Sequence, residues 1–306
     1  MPDSSPRVAA VVLNYNGRDV TLQTLESLRR LDYPAVDVVV VDNGSTDGSW
    51  EAVAEAHPDL TQLKVEENRG IAYGLNRGVA WGLEGGYDYV LILNNDIEVE
   101  PSMLAEMVRA AEREPLVGIV GPKAYYYWDR ERIWSAGGRL MFRETVTRER
   151  GMGEVDDGRF DEPAEVDYVN GCAALIRASV LREVGLFDPL YVVSVEDADW
   201  CVRMRRAGYR CLYVPSARLW HMVSHTTGGY NAGRTFHTGR STAIFVRRYA
   251  SPLQWCSFLL FMSMAFPAAF LRELPRGNQG AAWAKLRGVA AGLRAPLAPP
   301  PAWRGR

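Results

Sequence analysis

The 306-residue chain lacks an excess of either charge: 35 Lys and Arg stand against 37 Asp and Glu, a net charge of −2. That removes the basic footprint a nucleic-acid binder needs. Cysteine is scarce. Cys172, Cys201, Cys211 and Cys256 form no CxxC pair and no zinc-like spacing, which argues against a disulfide framework and leaves reduced, packed thiols. GxGxxG, GxxxxGK[ST] and HExxH are all missing, so the dinucleotide fingerprint, the P-loop and the zincin motif drop out. No repeat of solenoid type is present. The N-terminal MPDSSPR has no charged segment leading into an apolar one, and the chain is expected to stay in the cytoplasm.

What is present is a 47% hydrophobic chain, enough for a substantial core, in which strand and helix signals alternate. Strands are expected at 8–14, 36–42, 63–66 and 89–93, and helices near 20–30, 48–56, 72–84 and 102–113, with Ser45 or Asp47 capping the second helix. This alternation predicts an α/β fold, a mainly parallel Rossmann-like sheet flanked by helices. Three apolar strands end in polar side chains: Asn14 and Asn16, Asp42 and Asn43, then Asn94, Asn95 and Asp96. Asn and Asp favour turns in any case, but ligands of parallel sheets sit beyond the carboxyl ends of their strands. Three such ends on one rim point to a site, with Asp96 where a hard cation or a diphosphate would be held.

Further along, residues 143–159 read as an exposed hairpin or flexible loop, and 166–181 as a strand followed by a short helix. In 193–215, Asp199 and Arg203 are four apart and can pair. Glu196 and Asp197 begin the same helix, where acids complement the dipole, and Asp197 is also placed to enter a cleft as a general base. Residues 219–229 carry His221 and His225. One histidine with Asp96 suits Mg²⁺ or Mn²⁺ when a substrate diphosphate completes the octahedron. Residues 67–82 add Asn68 and Asn76 on a glycine-spaced helix able to pack closely on the sheet. From Ser251 to Leu271 there is no charge, and Arg247, Arg248, Arg272 and Arg276 flank the segment, which fits a helix in the interface of an anionic membrane. The proline-rich 294–306 is expected to be disordered.

Taken in order, VVLNYNG, VVDNGSTDGS, ENRGIAYGLNRG, LNNDIEVEP, NGCAALIR, VEDADW and WHMVSHTTGG resemble the inverting glycosyltransferases of family 2, which have the GT-A fold. The resemblance covers about residues 8–249 and is greatest to the rhamnosyltransferase-like branch. It implies a GT-A domain over 1–250, with a nucleotide-sugar half of about 1–122 and an acceptor half of about 123–250. A membrane-associating helical extension over 251–293 and the tail would follow. By the same resemblance Asp96 and His221 hold a divalent cation, with Asn94 replacing the usual first acid. Asp197 is the catalytic base, and His225 stands where small residues are more usual. Asn14, Asn16, Asp42, Asn43, Asn68, Asn76, Asn95 and Arg240 bind the donor. The implied activity is transfer of a sugar, L-rhamnose from dTDP-rhamnose, to a lipid-linked or polysaccharide acceptor in cell-envelope glycan synthesis. The enzyme would work as a peripheral protein on the inner face of the membrane. Two alternatives stand beside it. A nucleotidyltransferase would need a glycine-rich, basic N-terminal loop, and residues 13–18 read LNYNGR. A non-catalytic glycan-binding descendant would have lost Asp96 or Asp197.

Overall fold

A strand covered on both faces must be apolar at every position. Val8, Ala9, Ala10, Val11 and Val12 are all fully buried and form β1 (Val8–Asn14), central in a sheet that a computed structural model describes within residues 5–223 and 231–305. There follow α1 (Arg18–Leu28), β2 (Val36–Asp42), α2 (Ser49–Ala56), β3 (Thr61–Lys64), α3 (Ile71–Glu84) and β4 (Tyr89–Asn94). Next come β5 (Ile97–Val99), α4 (Met103–Arg113), β6 (Val117–Tyr126), β7 (Asp129–Ser135), β8 (Gly138–Leu140), β9 (Thr147–Glu149) and β10 (Ala164–Val166). The remaining elements are β11 (Ala173–Arg177), α5 (Ala178–Val184), α6 (Glu196–Arg206), β12 (Arg210–His221), α7 (Ala232–Tyr249), α8 (Pro252–Glu273) and α9 (Gln279–Arg294). His225 lies outside the described residues.

The main sheet runs β10-β12-β6-β11-β4-β1-β2-β3. Strands β1 to β4 pair in parallel, while β11 lies antiparallel between β4 and β6. Register decides what meets at the rim. Asn14 stands opposite Asp42 and Leu13 opposite Asn94, so the polar strand ends share one line. Ala173 pairs with Leu93, and the Asn94 N–H donates to the Cys172 carbonyl at 2.9 Å, which brings the 170–172 turn beside Asp96. The glycine spacing of α3 is a packing device: a Cβ at Gly78 would come within 2.1 Å of Val11 Cγ1, so only glycine lets the helix lie this close to β1.

Five sequence expectations change. Of the four cysteines expected as packed thiols, Cys256 on α8 is exposed, because that helix buries little of its surface in the protein. Residues 143–159, expected as an exposed hairpin or flexible loop, divide: 152–155 and 157–159 are exposed, but β9 pairs with β8 in a hairpin that buries Val146 and Glu149. Neither Ser45 nor Asp47 is the N-cap of α2, which is Gly48 in left-handed backbone (φ 80°): Asp47 accepts from the Ser49 N–H and also from the Arg18 N–H at the start of α1, whereas the Ser45 hydroxyl serves Asn14 and Asn16. The proline-rich tail packs instead of floating free, since its extended carbonyls accept bonds: Pro301 O from the Leu186 N–H and Ala298 O from Arg248. Arg247 and Arg248 turn inward, the first to the Gly292 and Ala295 carbonyls and the second to Asp188 and Asp199, because α9 and α6 offer them buried partners. They do not form a cationic flank for α8.

Helices α7 and α9 touch backbone to backbone. A Cβ at Gly288 would fall 2.0 Å from Phe236 O, and one at Gly292 would fall 2.4 Å from Arg240 O. Gly288→Val should therefore lower the unfolding free energy in urea by about 1–3 kcal/mol. Gly280→Ala, with nothing within 4 Å of the added carbon, should not lower it.

Candidate active site

The strand-end side chains form a hydrogen-bonded lattice. Asn14, 1% exposed, accepts at Oδ1 from Thr21 and from Asn95 Nδ2, and donates from Nδ2 to Asp42 Oδ2 and Ser45. Asp42 Oδ1 accepts the Ser45 N–H at 2.9 Å. An amide at the end of a central strand is within reach of both neighbouring strand ends, and all its bonding capacity is used there. Asn14, Asn95 and Asp42, expected as donor contacts, thus hold the floor of the rim together. Asn76 is likewise committed, because both ends of its amide bond the Phe187 main chain. Arg240 donates to Leu190 O and its neighbour Ser241 to Val193 O, so α7 holds the loop before α6. Asn16 and Asn68 stand exposed at the edge. Asn43 donates to Asn68 and Gly70 O, yet its buried Oδ1 has no partner among the described residues.

At the end of β4, Asp96 is 4% exposed and His221, the last residue of β12, is 6% exposed. His221 Nε2 lies 3.1 Å from Asp96 Oδ1 and 3.4 Å from Asn94 Nδ2. Trp134 sets its edge against the imidazole at 4.4 Å between centroids, a contact that no local motif announces. Adjacent ligands of an octahedral Mg²⁺ at about 2.1 Å stand about 3 Å apart, so the pair fits such an ion. Among the described residues no cluster of three or more acidic, His or Cys ligands occurs, and an ion held here would draw the rest of its shell from substrate and water.

Asp197 comes from the first turn of α6. Ser194 and Val195 both adopt left-handed backbone (φ 67° and 62°), unusual for a β-branched residue, and this bend starts α6 with Glu196 and Asp197 at the rim. Asp197 is half-buried. Its Oδ2 accepts the Gly171 N–H at 2.9 Å and its Oδ1 the Ala198 N–H at 2.7 Å. Burial raises its pKa and the Glu149 charge adds to this, against the pull of those two N–H groups. Glu196 is also raised, by burial and by Asp197, and its buried Oε2 has no partner among the described residues. The Cys172 thiol is pushed well up by burial and by the charges of Glu149, Asp96 and Asp197 together. Asp96 and Asp197 therefore both stand near one turn, residues 170–172.

Residues 9–185, more than half of the chain, match the family model for Glycosyl transferase family 2. The chain belongs to this family. It is a glycosyltransferase and is similar, at 29% identity over 76% of its length and 82% of the relative's, to the N-acetylglucosaminyl-diphospho-decaprenol L-rhamnosyltransferase of Mycobacterium tuberculosis. At 25% identity it is similar to the poly-beta-1,6-N-acetyl-D-glucosamine synthase of Staphylococcus aureus, over 82% of this chain and 58% of that one. Among solved structures, the mannosyltransferase PcManGT of Pyrobaculum calidifontis, in complex with GDP-Man and Mn²⁺, aligns with a TM-score of 0.57 at 22% identity. That alignment covers 97% of this chain and 78% of PcManGT. GalNAc-T7 with UDP, GalNAc and Mn²⁺ aligns with the same TM-score at 17% identity, over 71% and 43% of the two chains. The fold of this glycosyltransferase is GT-A.

A carboxyl whose pKa is raised by folding stabilises the protein while it is neutral, and that contribution is lost as pH rises through the folded value. Glu196→Gln should accordingly make the protein more stable than wild type by on the order of 1–3 kcal/mol in urea unfolding at pH 9. At pH 4, where the wild-type carboxyl is already neutral, the difference should vanish.

Proposed function

We propose that the protein is an inverting glycosyltransferase that passes L-rhamnose from dTDP-rhamnose to a lipid-linked or polysaccharide acceptor at the inner face of the cell membrane. The observation that supports this reading is the Asp96–His221 pair and the Asp197 carboxylate gathered about one turn, residues 170–172. The activity of the mycobacterial relative supports the sugar and the lipid diphosphate acceptor. The Mn²⁺ bound in two structural neighbours supports a divalent cation.

A sugar hydroxyl is a weak nucleophile and needs a base within hydrogen-bond reach. Asp197 takes that proton: each of its oxygens has one main-chain donor and keeps a second lone pair, and burial raises its basicity. Attack in a single displacement inverts the anomeric carbon. Asp96 and His221 would hold Mg²⁺ or Mn²⁺, which neutralises charge on a leaving diphosphate. Asn16, Asn43 and Asn68 edge the nucleoside site. Asn14, Asp42, Asn76, Asn95 and Arg240 fix the walls from behind.

Membrane attachment falls to α8. Leu253, Leu260, Met264 and Leu271 lie within about 20° of one line along the helix and are 82%, 58%, 57% and 65% exposed. The opposite side packs through Phe266 and Phe270 on Trp283 of α9. An uncharged outward face on a helix anchored to the protein suits a position in the plane of the interface.

With dTDP-rhamnose, Mn²⁺ and an acceptor, Asp197→Asn should lower kcat by about 10²–10⁴-fold while calorimetry still detects dTDP binding; wild-type turnover would sink the base assignment. Asp96→Ala should weaken dTDP binding in the presence of Mn²⁺ and leave metal-free binding unchanged. In vesicle flotation the intact chain should bind anionic and neutral vesicles alike and resist high salt, because Arg247 and Arg248 face inward. The double change Leu260→Glu and Met264→Glu should release it, and binding abolished by salt alone would overturn the apolar mode.

A further inference from the structure

Glu149, the last residue of β9, is a buried carboxylate that the reaction as described does not use. It is 8% exposed. Its Oε1 accepts from the Tyr168 hydroxyl at 2.5 Å and from Asn170 Nδ2 at 3.0 Å, and its Oε2 accepts from the Ser135 hydroxyl. The other end of the Asn170 amide accepts the Cys172 N–H at 2.9 Å. Asn170 is therefore gripped at both ends, and the turn it begins has one orientation, in which the Gly171 N–H points at Asp197 Oδ2.

We infer that Glu149 is a positioning residue for the Asp197 carboxylate: it anchors the Asn170–Gly171 turn that supplies the main-chain donor to Asp197 and holds a second negative charge beside it. The inference rests on the reading of Asp197 as the base. The titratable groups facing Asp197 are Glu149 from β9, Tyr168 and Cys172 from the segment before β11, and Glu196 beside it on α6. Of these, Glu149 is the carboxylate with all its donors on other elements, so its charge is fixed in place independently of α6. A like charge held close disfavours ionisation and moves a carboxylate towards the pH at which a base works best. The hydrogen bonds thus fix where the Asp197 carboxylate points, and the charge raises its basicity.

Glu149→Gln separates the two effects. The amide oxygen can still accept from Tyr168 and Asn170, and its nitrogen can donate to Ser135, so the anchor stays and the charge goes. With ¹³C-carboxyl-labelled aspartate, and the Asp197 signal assigned by its loss in Asp197→Asn, the Asp197 titration midpoint in E149Q should fall by on the order of one pH unit. The acid limb of kcat/KM for dTDP-rhamnose should move the same way while KM is unchanged. In E149A the Gly171 amide should cease to follow the Asp197 titration and kcat should fall further than in E149Q. An unchanged Asp197 midpoint in E149Q, with the Gly171 amide still following it, overturns the inference even if E149A does not fold. Wild-type turnover by Asp197→Asn would instead remove the base assignment, and the NMR midpoint would still decide whether Glu149 sets the Asp197 charge.

Discussion

A carboxylate taken out of water must be given donors or a cation, and this molecule brings four of them, Asp42, Asp96, Glu149 and Asp197, to one end of its sheet. Each is satisfied differently. Asp42 is held by Asn14 and the Ser45 N–H, and Glu149 by Tyr168, Asn170 and Ser135. Asp197 accepts from the Gly171 and Ala198 main-chain N–H groups, and Asp96 has the His221 imidazole. The first two are enclosed in neutral donors and read as framework. The last two retain capacity for a proton or a cation, and they are the two to which the proposed chemistry is given.

Keeping Asp197 at the rim requires a rigid α6, and a buried ionic cluster supplies it. Asp199 is fully buried and accepts from Arg203, Arg248 and Tyr249, while Arg248 also pairs with Asp188. Removing one member of such a cluster would leave an uncompensated charge, a far larger penalty than the net worth of the pairs. The cluster ties the first turn of α6 to the end of α7. Arg240 and Ser241 of α7 then tie the preceding loop, where Ser194 and Val195 adopt their left-handed conformation. Backbone strain beside the proposed base is thus sustained by contacts from another helix.

The parallel half of the fold was legible because its signals are local. Apolar runs such as 8–13 and 89–93 cannot lie anywhere but inside a sheet, and Gly74, Gly78 and Gly82 mark where α3 meets it. The Asp199–Arg203 pair follows from helical spacing alone. Asp96 and Asp197 were visible as acids at element ends. What was not legible depends on partners distant in sequence. Nothing near Asn14, Asn76 or Arg240 tells that their side chains are turned to Asn95, Phe187 and Leu190. Lys123, fully buried between Asp156 and Asp161, sits in a strand whose neighbours give no sign of those acids. Glu149 lay in a polar stretch read as exposed, and only the pairing of β8 with β9 carries it inside.

The C-terminal region extends the same logic outward from the sheet. Helix α8 has no charged residue from Ser251 to Leu271, yet its outward side is exposed while its inner side meets apolar partners on α9. Its anchor, α9, lies against α7 at glycine contacts too close for any side chain, and α7 holds the loop that leads into α6. The exposed apolar face and the proposed base are therefore joined through three packed helices without a flexible linker. If α8 rests in a lipid interface, the site is fixed at a set height and tilt above that interface. An acceptor that is itself embedded in lipid then meets Asp197 in a restricted range of orientations, which is the entropic advantage that a soluble acceptor would not receive.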